Sequence, residues 1–471
     1  MLIRISVLFL LCFVMTPPQV QAEKQQPNIL FILTDQWRAQ SIGYAGNEQV
    51  KTPNIDELAR SSVNFKNAVS GCPVCCPFRG SLMTGQRPLT HGVFLNDVQL
   101  PAESVTIAEV MDQAGYETGF IGKWHLDGRG RTAFTPRERR QGFEFWRALE
   151  CTHNYNNSFY YADSPERKTW EGYDAFAQTR VARQFIRTQS KAGQPFLLVM
   201  SYGSPHNPYH TAPPEYQSMY EPQNIRLRPN VPKDQQAAAK KELAGYYAHC
   251  SALDDCVGDL LATLKETGVD DNTIVVFTSD HGDMLHSHGQ IRKQKPWDES
   301  LRVPMLFRLN GAEHAQGRTV DAPINSEDLM PTLLGLCEVK IPASVEGLDL
   351  SGYLRGGESP SDGATVITCP APFGEWQRSR GGKEYRGLRT TRYTYVRDLK
   401  GPWLLYDNHA DPFQQRNLCN EPSAATVQAE LDALLNKKLA GQGDQFLPGK
   451  KYIAKFGYQV DPKTGTVPYT N

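Results

Sequence analysis

The stretch NILFILTDQW (residues 28–37) decides the fold class, because five apolar residues in a row end abruptly on the polar pair Asp35 and Gln36. A run of this length suits a buried strand and is too short for an ordinary buried helix. Three further stretches have the same form: ETGFIGKWH (117–125), PFLLVMSYGSPH (195–206) and NTIVVFTSDHGD (272–283). Helix-like segments separate these runs, which predicts an α/β fold with helices on both faces of a sheet.

Each of these four runs is followed by side chains that can do chemistry. They are Asp35 and Gln36, then Lys123 and His125, then His206, and finally Asp280 and His281. In open α/β sheets, ligands bind just beyond the carboxyl ends of the strands. We therefore expect these side chains to line one site.

The rest of the chain predicts helices and a second, smaller unit. Amphipathic patterns indicate helices at 104–116, with Ser104 as the N-cap, and at 324–339. A Gly-, Ser- and Pro-rich stretch at 352–365 interrupts the pattern. Strand-like segments at 385–398 and 403–412 and a helix-like segment at 424–439 come after it. We expect a catalytic domain over 23–365 and a smaller C-terminal α+β domain over 366–471.

The first 22 residues are typical of a secretory signal peptide. Arg4 precedes an apolar run over 5–15, and small residues close the segment at 20–22. The run is far short of the roughly 20 residues that a membrane span needs. We expect a chain exported to the periplasm or secreted, without a membrane anchor.

The charge balance and the cysteines narrow the function further. Without residues 1–22 the chain keeps 49 basic and 51 acidic residues, a balance that does not favour a nucleic-acid partner. Loss of Cys12 with the signal peptide leaves nine cysteines. Since nine is odd, at least one of them is outside any intramolecular disulfide.

The segment SGCPVCCPFRGSLMTG (70–85) holds three of these cysteines. Cys72 and Cys75 form a CxxC pair, but no second CxxC completes a zinc site. A disulfide through Cys72 or Cys76 stays open. In a third interpretation, Pro77 begins a helix and Cys75 lies at its N-terminus, where unpaired N–H groups favour an anion.

Within this segment, CCPFRGSLMTG resembles the signature of type I sulfatases, in the alkaline phosphatase-like superfamily. Cys75, Pro77 and Arg79 match the CxPxR core, and the LMTG tail fits. Phe78 replaces the usual Ser. The resemblance extends over nearly all of the mature chain through GKWHL, PHNP, SDHGD, ESLRVPMLFR and LYDNHADPFQQRNL. It implies a large mixed sheet between helices and a smaller C-terminal α+β domain.

The resemblance also implies a modified nucleophile and a metal. Cys75 would be oxidised to formylglycine by a formylglycine-generating enzyme, a partner during maturation. Asp35, Gln36, Asp280 and His281, with position 75, would hold one divalent cation. Their oxygen-rich set favours Ca²⁺, and Mg²⁺ or Mn²⁺ stays open. Gln36 and His281 differ from the usual Asp and Asn, and also occur in relatives that cleave phosphonate monoesters.

The remaining catalytic roles are likewise implied by the resemblance. Lys123 and Lys293 would contact the sulfate group, although Lys295 competes with Lys293 for this assignment. His206 would be the general acid for the leaving oxygen, besides lining the substrate site.

Two more residues would act on the nucleophile itself. His125 would assist the hydroxyls of formylglycine. Arg79 would neutralise and orient the nucleophile.

Taken together, these features predict an exported sulfatase that hydrolyses a sulfate ester through a covalent sulfate-ester intermediate. Export favours a sulfated glycan or oligosaccharide as substrate. The aromatic and Asn-rich segment 151–174 fits either a sugar-facing rim or an ordinary surface loop. Two alternatives are a phosphonate monoester or phosphodiester hydrolase of the same superfamily, and a catalytically silent binder of sulfated glycans. The second would be expected to have lost some of the motif residues, yet all are present.

Overall fold

A computed structural model describes residues 26–311 and 317–469 of the chain. The expected signal peptide, with Cys12, lies outside these residues. Among the described residues, none of the helices combines the length and apolar character needed to cross a membrane.

The described residues form fourteen strands in three sheets. The strands are β1 Asn28–Asp35, β2 Val63–Phe65, β3 Glu117–Lys123, β4 Phe145–Leu149, β5 Phe159–Tyr160, β6 Lys168–Thr169, β7 Phe196–Pro205, β8 Thr273–Ser279, β9 Met305–Arg308, β10 Arg318–Val320, β11 Ala364–Cys369, β12 Tyr385–Thr390, β13 Tyr393–Asp398 and β14 Gly401–Asp407.

Twelve α-helices accompany them in the same part of the chain. They are α1 Pro53–Arg60, α2 Cys75–Thr84, α3 Pro88–His91, α4 Ile107–Gln113, α5 Asp174–Ala192, α6 Pro214–Gln217, α7 Gln236–Glu266, α8 Asp298–Leu301, α9 Leu329–Leu336, α10 Ser351–Leu354, α11 Ala425–Gly441 and α12 Gly449–Lys455.

The large sheet has eight strands in the order β10-β2-β9-β8-β1-β7-β3-β4. Strands β8, β1, β7, β3 and β4 run parallel, and β9 is antiparallel to both β8 and β2. The predicted α/β class and the mixed sheet are therefore confirmed. All four apolar runs of the sequence are neighbours at the centre of this sheet.

Alternate residues of β1 enter different hydrophobic layers, which explains why its run is apolar throughout. Ile29, Phe31 and Leu33 belong to the core that contains α2, α4 and α9. Leu30 and Ile32 belong to the core that contains α5 and α7. Successive side chains of a strand point to opposite faces, so a sheet covered on both sides needs apolar residues at every position.

Local details of three expected helices differ from the sequence interpretation. Thr106, and not Ser104, is the N-cap of α4: its Oγ1 accepts the Glu109 N–H, and the Glu109 carboxylate accepts the Thr106 N–H. Pro77 is the third residue of α2, since the helix begins at Cys75. The expected helix at 324–339 consists of a 3₁₀ turn at 326–328 followed by α9.

The smaller sheet is antiparallel, in the order β11-β12-β13-β14. The strand-like segment 385–398 is a hairpin of two strands, because Thr390 to Tyr393 makes a tight turn held by the Thr390 hydroxyl. Helix α11 packs on this sheet through Leu431, Leu435 and Leu439. The domain boundary at 365/366 stays a prediction.

Candidate active site

The strand order brings the predicted side chains to one edge of the large sheet. Asp35 is aligned with Pro205, and Thr34 with Ser279, so the ends of β1, β7 and β8 meet. Lys123 ends β3 on the far side of β7. The carboxyl ends of four adjacent parallel strands thus supply one site, as the sequence predicted.

Helix α2 points its N-terminus into this edge. Cys75 is its first residue and is 1% exposed. Gly85 closes the helix in a left-handed conformation (φ 64°), and its N–H donates to the Ser81 carbonyl oxygen. A Cβ at Gly85 would lie 2.9 Å from Val345, so this end of the signature favours glycine for both reasons.

A second glycine allows close contact between the strands that carry the site. Gly122, just before Lys123, has φ 107°, and a Cβ there would lie 2.0 Å from the Ser201 carbonyl oxygen on β7. Only glycine tolerates this approach without displacement of the backbone. The Gly in the GKWH block therefore places Lys123 against β7.

One side of Cys75 is rich in metal-type ligands, and we call it the acidic pole. Single ligand atoms of Asp35, Cys75, Asp280 and His281 all lie within 4.8 Å of one another, and all four residues are buried. The His281 Nε2 is 3.6 Å from Asp35 Oδ1 and 3.5 Å from Asp280 Oδ1. The His281 Nδ1 lies 2.9 Å from the Gly282 carbonyl oxygen, an arrangement that leaves Nε2 free to bind a cation.

Gln36 completes the acidic pole. Its Nε2 donates to Asp283 Oδ2 at 2.7 Å and to the Tyr209 hydroxyl at 3.2 Å. Its Oε1 is buried and has no hydrogen-bond partner among the described residues. Because a buried unpaired acceptor is rare and costly, this oxygen fits a fifth ligand to a cation bound by the other four side chains.

Arg79 lies across the two carboxylates of the acidic pole. Its Nη2 is 3.4 Å from Asp35 Oδ2 and 3.2 Å from Asp280 Oδ2. Its Nη1 donates to the Lys123 carbonyl oxygen at 2.6 Å and to Ser201 Oγ at 2.7 Å. The guanidinium therefore orients the carboxylates and the end of β3.

The other side of Cys75 carries positive charge, and we call it the cationic pole. Lys293 Nζ lies 3.1 Å from Cys75 Sγ and 2.9 Å from His206 Nε2. Lys123 Nζ lies 3.6 Å from Cys75 Sγ and donates to Asp35 Oδ2 at 2.6 Å. Lys295 points elsewhere, because its Nζ donates to the Ile291 carbonyl oxygen at 2.7 Å.

These charges shift the pKa values of the groups around Cys75. Burial and Asp35 oppose ionisation of the Cys75 thiol, yet Lys123, Lys293 and His281 together lower its pKa well below the usual value. Burial and the Asp35 charge raise the pKa of Asp280 to about 6. Burial opposes ionisation of Asp35 as well, but the contact with Lys123 holds its pKa low, so Asp35 is the member of this carboxylate pair that ionises first.

His206 is a neutral imidazole in this arrangement. Burial lowers its pKa well below the usual value, and the adjacent Lys293 ammonium lowers it further. Its Nδ1 lies 2.9 Å from the Asn207 carbonyl oxygen, which fits a proton on Nδ1. The Nε2 then accepts a hydrogen bond from Lys293 Nζ, and the mobile proton of this pair is on the lysine.

His125 lies to one side of this cluster, next to Cys76. Its φ is 59°, and its Nε2 is 3.0 Å from Asp97 Oδ1. Arg131 holds the same carboxylate with two hydrogen bonds of 2.9 Å. The His125 Nδ1 is buried and has no partner among the described residues. Although burial opposes it, the ionised forms of Cys76 and Cys151 and the hydrogen bond to Asp97 raise the pKa of His125 well above the usual value.

The structure adds residues that the sequence did not single out. Asp97 orients His125, Asp283 orients Gln36, and Ser201 orients Arg79. His153 stacks on His206 with ring centroids 4.6 Å apart and planes within 2°. Of these residues, only His153 lies in a segment that the sequence analysis singled out, 151–174. Its contact with His206 brings that segment to the site. The others come from separate stretches without a motif.

Cys151 is another residue close to the site, and it belongs to none of the sequence motifs. Its Sγ lies 3.9 Å from His153 Nε2. Burial opposes ionisation, but Lys123 and His125 lower the pKa of this thiol to about 5. All nine described cysteines are free thiols, so the disulfide that the sequence left open through Cys72 or Cys76 is not formed.

Two further histidines, His288 and His210, lie outside the cluster. The His288 ring stacks on Trp297 at 5.1 Å and contacts Asn230, which fits a role in loop structure. His210 is exposed at the edge of a neighbouring groove.

Fold and site together define the class: a protein with a mixed α/β sheet and a buried cysteine at a helix N-terminus, between a metal-type cluster and a pair of lysines. Residues 27–339 match the family model described as Sulfatase, and residues 286–441 match the one described as N-sulphoglucosamine sulphohydrolase, C-terminal. The chain belongs to the sulfatase family and is a sulfuric ester hydrolase.

Individual relatives agree with this assignment. An ulvan-active sulfatase of Formosa agariphila is 47% identical over 95% of this chain and 88% of its own length. An endo-4-O-sulfatase of Bacteroides thetaiotaomicron is 29% identical over 88% of this chain and 92% of its own. A crystal structure of a sulfatase from Bacteroides fragilis superposes with a TM-score of 0.81 at 30% identity, covering 93% of this chain and 100% of the other.

Proposed function

We propose that this sulfatase removes sulfate groups from a sulfated glycan or oligosaccharide outside the cytoplasm, with formylglycine formed from Cys75 and one divalent cation, Ca²⁺ by preference. The observation that carries the proposal is the position of Cys75 between the two poles. Its Sγ is 3.3 Å from His281 Nε2 on one side and 3.1 Å from Lys293 Nζ on the other. A group at this position would contact both the divalent cation held by the acidic pole and the sulfate group held by the cationic pole.

The substrate class follows from the relatives and from the site. Two of the relatives are named for ulvan activity and for endo-4-O-sulfatase activity, and both cover most of this chain. The segment 151–174 reaches the site through His153, where a substrate larger than sulfate would extend. These observations favour a saccharide-borne sulfate over a small aryl sulfate, and the predicted export of the chain supports the same substrate.

Formylglycine and the divalent cation would supply one part of the chemistry, and side chains of this chain the other. Formylglycine would supply, as its hydrate, one oxygen for attack on sulfur and a second hydroxyl for release of sulfate. A cation held by Asp35, Gln36, Asp280 and His281 would favour the deprotonated form of the attacking group. Side chains of the cationic pole, together with His125, would supply the rest.

Lys123 and Lys293 would bind the sulfate oxygens and balance the charge that develops during transfer. Their Nζ atoms approach Cys75 Sγ at 3.6 and 3.1 Å, close to where a bound sulfate would lie. Asp35 keeps Lys123 protonated: burial opposes the charge, but the carboxylate raises the pKa of Lys123 well above the usual value. The two ammonium groups are therefore charged before substrate arrives.

The Lys293–His206 pair would hold the proton for the leaving oxygen. In the free site the proton lies on Lys293, and His206 is neutral. A bound sulfate ester adds negative charge, which stabilises an imidazolium and so allows His206 to carry the proton to the leaving oxygen. His125 would assist the second hydroxyl through its unpartnered Nδ1, with Nε2 directed to Asp97.

The experiment that tests the modification is mass spectrometry of the peptide 72–85 from protein made in its native host. Conversion of Cys75 to formylglycine lowers the peptide mass by about 18 Da. Unmodified Cys75 throughout an active preparation would overturn the proposed nucleophile.

Substrate assays test the rest of the proposal. Sulfate release from sulfated polysaccharides and from 4-nitrophenyl sulfate is compared with hydrolysis of a phenylphosphonate monoester. We expect release of sulfate from at least one polysaccharide or its oligosaccharides. A preference for the phosphonate ester by orders of magnitude would contradict the proposal.

A further inference from the structure

A cleft of about 380 Å³ lies between the loop that follows β1 and the segment 226–229. In the described part of the chain, it shares no lining residue with the acidic and cationic poles. Its lining includes Arg38, Gln40, Arg226, Arg228, Tyr247 and Arg302. We call it the arginine cleft.

The charge of the arginine cleft is strongly one-sided. Four guanidinium groups line it against one lining carboxylate, Glu48. Glu48 is exposed and pairs with Arg226 at 3.4 Å. Arg228 pairs with Glu299 at 2.9 Å, and Arg302 pairs with Asp298 at 3.6 Å. Arg38 has no carboxylate within ion-pairing distance among the described residues, although its charge helps to lower the pKa values of the buried Asp283 and Glu299.

Arg38 is also incompletely hydrogen-bonded. The residue is 2% exposed, and its Nε donates to Ser41 Oγ at 2.9 Å. Its Nη1 is buried and unpartnered among the described residues, and so is the Nε of Arg302. Native proteins leave few buried donors unpaired. Two such donors on one cleft point to an oxyanion that accepts from them.

Gln40 distinguishes a saccharide from a simple ion. Its Oε1 is buried and unpartnered in the described structure, and the residue lines the same cleft. An amide oxygen repels an anion and accepts from a hydroxyl. Tyr247 and Phe413 add ring surface to the lining, which suits the apolar face of a sugar ring. The lining therefore matches a ligand that carries both an oxyanion and hydroxyl groups.

We propose that the arginine cleft binds a sulfate- or carboxylate-bearing sugar residue of a polymeric substrate, apart from the catalytic pocket. This proposal rests on the proposed glycan substrate. A chain held at two places gains effective concentration at the catalytic pocket. The cleft would thus lower KM for the polymer and leave short substrates unaffected.

The test introduces a negative charge without the loss of any buried contact. Ala45 lines the cleft and is exposed, so Ala45→Asp places a carboxylate at its mouth. Ala45→Ser is the size control. Ala102→Asp, at an exposed position outside the cleft, is the charge control. Affinity of the full chain for dextran sulfate is measured by affinity electrophoresis, together with KM for 4-nitrophenyl sulfate.

We expect Ala45→Asp to weaken dextran sulfate binding about fivefold, because an exposed like-charge contact is worth this much. Both controls should bind like the wild type, and KM for 4-nitrophenyl sulfate should be unchanged in all three. Equal affinity of Ala45→Asp and Ala102→Asp would overturn the proposal. So would a parallel rise in KM for the small substrate, since the cleft would then act on the catalytic pocket.

A second variant separates the saccharide from the inorganic ion. Gln40→Leu removes the unpartnered acceptor, and binding of glucose 6-sulfate and of inorganic sulfate is measured by calorimetry. We expect loss of affinity for the sugar sulfate alone. Equal effects on both ligands would overturn the saccharide assignment. Failure of the proposed catalytic function would show differently, as absent sulfate release with these affinities intact.

Discussion

The acidic and cationic poles of the site contain similar numbers of buried charged groups but hold them in opposite ways. In the acidic pole, Arg79 spans Asp35 and Asp280, and Gln36 Oε1 is left without a partner. In the cationic pole, Lys293 is shared between Cys75 and His206. One pole is thus prepared for a cation and the other for an anion.

The contrast teaches that Cys75 is the junction of two half-sites, each of which is incomplete by itself. Buried like charges are costly unless a partner or ligand of opposite charge compensates them. A direct ion pair joins the two poles, with Lys123 Nζ 2.6 Å from Asp35 Oδ2. A variant of one pole should therefore act most strongly on the ligand that this pole is prepared to bind.

Removal of the junction should have the largest effect. Cys75→Ala should lower kcat by at least about 10⁴-fold, because a missing nucleophile removes the covalent step. Folding should be largely intact, since the side chain is small and Lys123 remains paired with Asp35. Sulfate release and thermal unfolding measure the two effects.

Controls for this variant use the other thiols. Cys419→Ala, at a partly exposed cysteine away from the site, should retain full activity. Cys75→Ser should behave like Cys75→Ala unless the host oxidises serine. Wild-type activity in Cys75→Ala would refute the assignment of the nucleophile.

The acidic pole should respond to loss of one carboxylate and to chelation in the same way. Asp280→Asn should lower activity at least about 100-fold, because the cation loses a charged ligand. Chelated wild type should regain activity and a higher Tm with Ca²⁺, since a ligand that binds only the folded state stabilises it. The variant should lack this Ca²⁺-dependent rise in Tm.

Asp112→Asn, at an exposed helical position, is the matched control. It should keep the same Ca²⁺ response as the wild type. An Asp280→Asn protein with unchanged activity and Ca²⁺ response would show that the acidic pole does not hold the cation.

Loss of a lysine from the cationic pole should change both the activity and the pKa of His206. Lys293→Met should lower kcat/KM by about 10²- to 10³-fold by the loss of one donor to the sulfate. It should also raise the pKa of His206, because burial and the Lys293 ammonium are the two largest causes that lower it and the variant removes the second. Titration of the His206 ring by NMR measures this upward shift.

Lys295→Met tests whether any nearby lysine would serve. The Lys295 ammonium bonds to the Ile291 carbonyl oxygen, and burial lowers its pKa to about 8. Its removal should leave both the rate and the His206 titration close to those of the wild type. A larger effect of Lys295→Met than of Lys293→Met would reverse the assignment.

The smallest effect should come from the rim of the cationic pole. His153→Ala removes the ring stacked on His206 and should lower kcat about two- to tenfold, the range expected for one aromatic pair. His153→Phe keeps the stacked surface and should restore most of kcat. If both variants instead raised KM equally and left kcat unchanged, His153 would contact the substrate rather than support the His206 ring.

The features that could be predicted from the sequence are those that a short stretch of the chain encodes. The four central strands were predictable because an apolar run buried on both faces is a local pattern. The acidic and cationic residues were predictable because they directly follow those runs. The N-cap at Thr106 was missed since Ser104 is an equally good capping residue in sequence, and only the geometry of the first turn selects between them.

Contacts between residues far apart in the chain could not be predicted from the sequence. Arg79 lies 201 residues from Asp280, and Lys293 lies 87 from His206. Asp97 and Ser201 carry no local pattern that marks them as partners of His125 and Arg79. Such pairs depend on strand order and loop paths, which no single stretch encodes.

The sequence by itself determined the central β-strands and the sulfatase signature, because each depends on residues close together in the chain. Only the tertiary structure decided that Lys293 and not Lys295 faces Cys75, that Arg79 binds the carboxylates, and that the described cysteines stay unpaired. The physical reason is distance along the chain: local patterns fix backbone conformation, whereas burial and charge compensation act between segments that meet only after the sheet has formed.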